Sequence, residues 1–194
     1  MKMHESDDHM RQIIIIIVAR VLYAMVIFIP IVASECLLAQ TVEYDTTWYD
    51  SGTPMIVFEF RDGRKDMTIY QYYENGQLQA EKPYRNMKPD GIAVGFYESG
   101  QLMNVCVTRM GVPVEQEVGW YENGQRKIEI RYKGGQKNGL LRGWYENGQQ
   151  LTECNYINGK IHGVQKNWNA DGSVMSMPIY DMGEIIDEVD KDEY

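Results

Sequence analysis

The sequence predicts an all-β fold: an elongated antiparallel meander of six tandem 24-residue β-hairpin repeats, placed after an N-terminal signal segment. Three observations predict it. The first is recurrence at a fixed period, the mark of a repeat architecture. Tyr72-Tyr73-Glu74-Asn75-Gly76-Gln77 returns as Phe96-Tyr97-Glu98-Ser99-Gly100-Gln101, Trp120-Tyr121-Glu122-Asn123-Gly124-Gln125 and Trp144-Tyr145-Glu146-Asn147-Gly148-Gln149, always 24 residues on. One step outward in each direction lands on Trp48-Tyr49-Asp50-Ser51-Gly52 and Trp168-Asn169-Ala170-Asp171-Gly172. The second is turn chemistry, because Asn-Gly, Ser-Gly and Asp-Gly between β-prone segments signal hairpins. The third is period-two alternation, with Ile56, Phe58 and Phe60 set against Val57, Glu59 and Arg61, and Ile128, Ile130 and Tyr132 set against Lys127, Glu129 and Arg131.

Taken in chain order, residues 1–39 read as a signal peptide or a signal anchor. Lys2 and Arg11 lie in a polar start, an apolar run follows from Ile13 to Ser34, and Leu37-Leu38-Ala39 offers a processing point before Gln40. The run is also long enough to span a bilayer uncleaved, although Arg20 interrupts it. Residues 40–47 form an N-terminal cap or linker. Residues 48–180 are the repeat domain, with repeats starting at 48, 72, 96, 120, 144 and 168.

Within each repeat a strand ends in two aromatics, and a tight turn follows at the glycine. Two positive-φ residues, as in a type I′ turn, are expected there. A second strand closes on Phe60, Tyr84, Tyr132, Tyr156 or Tyr180, with Thr108 the exception, and one face of it is expected to be buried and the other wetter. A looser turn comes next, marked by Gly63, Gly111, Gly135 and Gly159, with Met87 departing from the pattern. Glycines at 91, 139 and 163, and at 95, 119 and 143, let a bulky neighbour lie across the backbone. Residues 181–194 form an acidic C-terminal tail, expected to fray.

Charge and cysteines narrow the function classes. The chain carries −9, and still −8 without residues 1–40. An acidic surface repels phosphate backbones and anionic lipid heads, so no nucleic-acid partner is expected and membrane contact only through an uncleaved leader. Cys36 lies in the leader, leaving Cys106 and Cys154 at one repeat position, two repeats apart. At about 4.8 Å per strand that is a separation of about 19 Å, too far for a disulfide, so buried free thiols are expected.

The repeated residues resemble MORN-type repeats, in particular the bacterial variant whose unit reads Tyr-Tyr-Glu-Asn-Gly-Lys followed by a strand, an aromatic and Asn-Gly. The resemblance spans about residues 48–180, with Gln77, Gln101, Gln125 and Gln149 in place of the Lys. It implies binding rather than catalysis. Bacterial proteins of this kind resemble YwqK-type antitoxins of toxin-antitoxin systems, and eukaryotic relatives act as scaffolds or membrane-contact modules. The leader disagrees with a cytoplasmic antitoxin and the acidic balance with lipid binding. An exported immunity-type protein, in the periplasm, cell envelope or outer surface of a Gram-negative bacterium, fits both departures.

Nothing in the sequence assembles a catalytic, metal or cofactor site. After the leader there is one histidine, His162, and two cysteines two repeats apart, with neither a Cys-His pair nor a metal set at ligand spacing. Two features remain for binding. Trp48, Trp120, Trp144 and Trp168, with Tyr72 and Phe96, form one aromatic stripe, and Tyr49, Tyr73, Tyr97, Tyr121 and Tyr145 form another. Either both stripes stack as core, or one lines a groove for a protein or a glycan. The tight turns also carry Asp50, Glu74, Glu98, Glu122 and Glu146, whereas the looser turns carry Arg61, Arg64, Lys65, Arg85, Lys88, Lys133, Lys137 and Lys160. The sheet is therefore expected to have one acidic and one basic border. The candidate binding surface is Tyr73, Tyr97, Tyr121 and Tyr145 with Glu74, Glu98, Glu122 and Glu146. Its expected partner is another protein, a toxin being the first candidate, with a cell-envelope scaffold or a glycan-binding protein as the alternatives.

Overall fold

A computed structural model describes residues 42–61 and 64–190, so the leader and its processing point lie outside the described residues. The described chain is all-β, as expected. Its strands are β1 (Glu43–Trp48), β2 (Pro54–Arg61), β3 (Asp66–Tyr72), β4 (Leu78–Arg85), β5 (Lys88–Pro89), β6 (Gly91–Phe96), β7 (Leu102–Arg109), β8 (Val112–Trp120) and β9 (Arg126–Lys133). They continue as β10 (Gln136–Trp144), β11 (Gln150–Ile157), β12 (Lys160–Ile161), β13 (Gly163–Val164), β14 (Lys166–Trp168), β15 (Val174–Ser176), β16 (Pro178–Asp181) and β17 (Glu184–Glu188).

Neighbours in sequence are neighbours in the sheet, in the order β1-β2-β3-β4-β6-β7-β8-β9-β10-β11-β14-β15, every pair antiparallel. A second, three-stranded sheet, β13-β16-β17, closes the described chain. It continues the meander, because Gly163 opposite Tyr180 and Val164 opposite Ile179 keep the register of Asn167 opposite Ser176. The tail expected to fray instead forms β17 through Glu188, paired with β16 across Met182-Gly183, and Val189 N–H reaches Met177 C=O at 2.9 Å.

The two turn types exchange places relative to expectation. At the Asn-Gly turns Gly76 N–H donates to Tyr73 C=O at 2.9 Å and Tyr73 N–H to Gln77 C=O at 2.8 Å, and the same pair of bonds recurs at Tyr97, Tyr121 and Tyr145. Among the residues of these turns the glycine has positive φ and the residue before it does not. This is a type I turn closed by a left-handed glycine, the three-residue hairpin loop, not a type I′ turn. The asparagines reinforce this form without being required for it, since Ser99-Gly100 makes the same loop. In its ordinary conformation Asn75 Oδ1 accepts from Gln77 N–H at 2.8 Å, as Asn123 and Asn147 do from Gln125 and Gln149.

The turns expected to be looser are the tight two-residue ones. Asn86-Met87, Met110-Gly111, Gly134-Gly135, Asn158-Gly159 and Met182-Gly183 all have both residues at positive φ, between flanking pairs such as Arg85 opposite Lys88. That is the type I′ pattern, which matches the strand twist.

A bulge recurs once per repeat. Tyr72 faces Leu78 while Gln71 faces Ala80, leaving Gln79 as the extra residue, and Met55, Met103, Lys127, Leu151 and Met175 take the same place elsewhere. Such a bulge bends its strand and increases local twist. Across the strand from it the expected glycines do what was anticipated: a Cβ on Gly119 would stand 3.1 Å from Ile128 Cγ2, and one on Gly143 3.1 Å from Thr152 Cγ2.

The expectation of one buried and one wetter face is corrected. One face holds the row Val94, Val105 and Val118, all buried, and the other holds Ile130, Leu141 and Cys154, with Ile128, Tyr132, Tyr156 and Ile161 packed against them. Glu59 and Glu129, assigned to the wetter side, are 9% and 7% exposed. They tolerate burial because they are bonded. Glu59 accepts from Arg61 and from the Tyr70 hydroxyl at 3.3 Å, and Glu129 accepts from Gln116 and from Arg126 at 3.0 Å.

Candidate functional site

The turns at Gly52, Gly76, Gly100, Gly124 and Gly148 share one border of the large sheet, and side-chain bonds tie each to the next. The Tyr49 hydroxyl donates to Tyr72 C=O at 2.9 Å, Tyr73 to Phe96 C=O at 3.0 Å, Tyr97 to Trp120 C=O at 2.8 Å, Tyr121 to Trp144 C=O at 2.8 Å, and Tyr145 to Trp168 C=O at 2.9 Å. Each bond crosses one repeat interface. The asparagines add a second tie, Asn123 Nδ2 donating to Glu146 C=O at 2.8 Å and Asn147 Nδ2 to Ala170 C=O at 2.8 Å, with a longer one from Asn75 to Glu98 C=O at 3.4 Å.

The predicted site residues therefore divide by role. Tyr73, Tyr97, Tyr121 and Tyr145 are half-buried, and their hydroxyls are committed to the next repeat. Glu74, Glu98, Glu122 and Glu146 are exposed, and none of their carboxylates makes a hydrogen bond or ion pair with another described residue. The row is held from beneath and free above. Its charge is felt locally: burial first, then Glu122 and Glu146, raises the Tyr97 hydroxyl above its ordinary range. The asparagines of these turns were read only as turn formers. Their phase, fixed against the tyrosine, was the available signal for the inter-repeat tie.

The basic border is partly consumed by contacts. Arg64 bonds Glu43 at 2.8 Å and Asp45 at 3.2 Å and lies 4.7 Å over the Phe60 ring, Arg61 pairs with Glu59, Arg85 stands 3.9 Å from Asp66, and Lys137 lies 5.3 Å over the Tyr156 ring. The tryptophan stripe varies along its length, from Trp48 at 59% exposed to Phe96 at 8%. Cys106 and Cys154 are free thiols, Cys154 buried as expected and Cys106 only half-buried, and burial pushes both above the ordinary thiol range. Among the described residues no three His, Cys, Asp or Glu side chains converge as a metal site. His162 Nδ1 stands 3.3 Å from an Asp181 oxygen, with both side chains exposed.

Tyrosine ionisation gives this arrangement a pH signature. Burial, then the charge of Glu117 and the 3.0 Å bond to it, pushes the Tyr132 hydroxyl up to about 12, and Tyr70, Tyr72, Tyr97 and Tyr156 are raised for the same leading reason. With the folded value above the unfolded value of about 10, the unfolded chain loses these protons first as pH rises. The stabilisation is complete below pH of about 10 and is lost on the way up to about 12. Titration followed by tyrosinate absorbance and circular dichroism is expected to show a late set of tyrosines ionising together with loss of strand signal. A single tyrosine transition near 10, with the strand signal intact, would contradict it.

A family model described as the MORN repeat variant matches residues 65–86, 116–133 and 137–158. These matches support a MORN-repeat protein, and such repeats are commonly non-catalytic binding modules. Each matched segment holds one hairpin of the border just described, with its turn at Gly76, Gly124 or Gly148. Segment 87–115, where Ser99 replaces the asparagine and Thr108 the closing aromatic, keeps the same strand pairing. No curated protein matches the chain.

Proposed function

We propose that this MORN-repeat chain is a noncatalytic protein-binding module that receives its partner along the Tyr-Glu border. The observation that carries the reading is the contrast within the turns. Tyrosine and asparagine side chains hold neighbouring turns at a fixed spacing, and the carboxylates of Glu74, Glu98, Glu122 and Glu146 have no hydrogen-bond or ion-pair partner among the described residues. A rigid row of like charge suits a basic protein surface, because preorganised complementary charge speeds encounter and selects the partner. The finer reading is an exported antitoxin or immunity-type protein acting in the bacterial cell envelope, with a basic toxin surface as its target. A glycan is the weaker occupant, since the hydroxyls of the tyrosine stripe are already engaged.

The test is capture of partners from envelope extract by the tagged full chain, identified by mass spectrometry, beside a variant carrying Glu74→Lys, Glu98→Lys, Glu122→Lys and Glu146→Lys. The variant is expected to fold, because the four positions are exposed, and to lose its partner by about tenfold or more in affinity, mostly when salt is low. Equal capture by both forms would end this reading.

A further inference from the structure

The basic border is uneven along its length. Three of its consecutive turns, Asn86-Met87, Met110-Gly111 and Gly134-Gly135, combine positive charge with exposed apolar side chains. In a chain of net charge −9, residues 86–89, 109–113 and 133–137 carry Lys88, Arg109, Lys133 and Lys137 and no carboxylate. Lys137 lies over the Tyr156 ring, but the side chains of Lys88, Arg109 and Lys133 make no hydrogen bond or ion pair with another described residue. Asp66, across the sheet from Arg85, is taken up by Asn86 N–H at 3.2 Å and Arg85 at 3.9 Å.

Between these cations the strip is apolar, with Met87 at 66%, Met110 at 44% and Val112 at 40% exposed. Neighbouring turns are tied into one surface. Gly111 N–H donates to Pro89 C=O at 2.6 Å, and Val112 lies so close over the third turn that a Cβ on Gly135 would stand 2.5 Å from its Cγ1. The methionines stand where the backbone disfavours them. Met87 has a φ of 62° and Met110 a φ of 50°, left-handed values that cost a side chain conformational energy. At Gly134-Gly135 and Asn158-Gly159 the border gives the same backbone form to residues that tolerate it. Strain borne by side chains that bury so little points to a use outside the fold.

We propose that this strip docks an acidic amphipathic helix of a partner protein, with Met87, Met110 and Val112 against its apolar face and Lys88, Arg109 and Lys133 against its carboxylates. Successive turns of the border are two strands apart, about 9.6 Å. Residues seven apart on one helix face are about 10.5 Å apart, so a helix laid along the border presents one apolar side chain to each turn. Unbranched methionine adapts to such a surface. Charge favours a helix over an anionic bilayer. A bilayer would bring the whole acidic molecule up to its phosphates, whereas a helix meets only what lies within a Debye length of about 8 Å. The strip is separate from the Tyr-Glu border and does not depend on the function proposed for it.

The experiment is fluorescence anisotropy of labelled peptides of about 18 leucine and glutamate residues, titrated with the full chain. One peptide repeats leucine at helical spacing, a second has the same composition with its leucines scattered round the helix, and a third has lysine in place of glutamate. The first is expected to bind, and the other two to bind about tenfold more weakly or less. Met87→Asn with Met110→Asn removes the apolar tips but keeps residues that tolerate positive φ, so melting is expected to hold or rise while binding falls by about tenfold or more. Arg109→Glu with Lys133→Glu is expected to weaken binding most at low salt, and Glu74→Lys with Glu98→Lys, on the other border, to leave it unchanged. No binding of the first peptide, equal binding of the scattered one, or binding indifferent to the methionine pair would overturn the proposal. So would vesicles of phosphatidylserine and phosphatidylcholine that sediment the wild type but not the methionine variant, which would make the strip a membrane contact instead.

Discussion

Replacing Tyr49, Tyr73, Tyr97, Tyr121 and Tyr145 together by phenylalanine is expected to lower the unfolding free energy by about 5 kcal/mol, roughly 1 kcal/mol for each bond. Every one of these hydroxyls donates to a backbone carbonyl in the following repeat. Phenylalanine keeps the ring and its packing and removes only that donor, so the acceptor is left short of a partner. The bonds sit at separate interfaces, and an array with nearest-neighbour coupling accumulates such losses. The sum is comparable to the whole stability of a small domain, about 5–15 kcal/mol. Urea unfolding of single and combined variants measures it. The midpoint is expected to fall with each substitution, least for Tyr49→Phe at the first interface. A fivefold variant with an unshifted midpoint would mean that water replaces the hydroxyls without loss.

The period and its turn residues made the fold legible, because a 24-residue recurrence with glycine in fixed phase admits few architectures. Turn geometry was less legible. Asn-Gly suits either a type I′ loop or a type I turn with a left-handed glycine, and the same loop forms at Ser99-Gly100, so the dipeptide by itself does not make the choice. The prediction for the tail failed for a related reason: its composition looks disordered, but Met182-Gly183 supplies the same two-residue turn used elsewhere. In the candidate site the residue types and their phase could be read from sequence. That the tyrosine hydroxyl is spent on the next repeat, and the glutamate is not, could not, since the two are adjacent in sequence and differ only in which direction they leave the turn.

Val105→Ala and Ile130→Ala separate a sheet packed on both faces from one packed on a single face. Val105 is fully buried, between Val94 and Val118 across β6, β7 and β8. Ile130 lies on the opposite face against Leu141 and Cys154. Simple alternation would put Val105, which shares its repeat position with Glu129, on the wet side and make its truncation almost neutral. The structure predicts otherwise. Removing two methyl groups from a site with no access to water is expected to cost about 2 kcal/mol, and Ile130→Ala about 3 kcal/mol. Along the Val105 row the apolar stretch ends where paired polar groups begin, at Tyr70 and Glu81 on one side and at Glu129, Arg142 and Glu153 on the other, the last two joined at 2.8 Å. The two residues lie on different faces of the sheet, so the double variant is expected to lose close to the sum. Val112→Ala, at an exposed turn, serves as the near-neutral reference. If urea unfolding puts Val105→Ala no lower than Val112→Ala, packing on that face contributes nothing and the two-faced core is wrong.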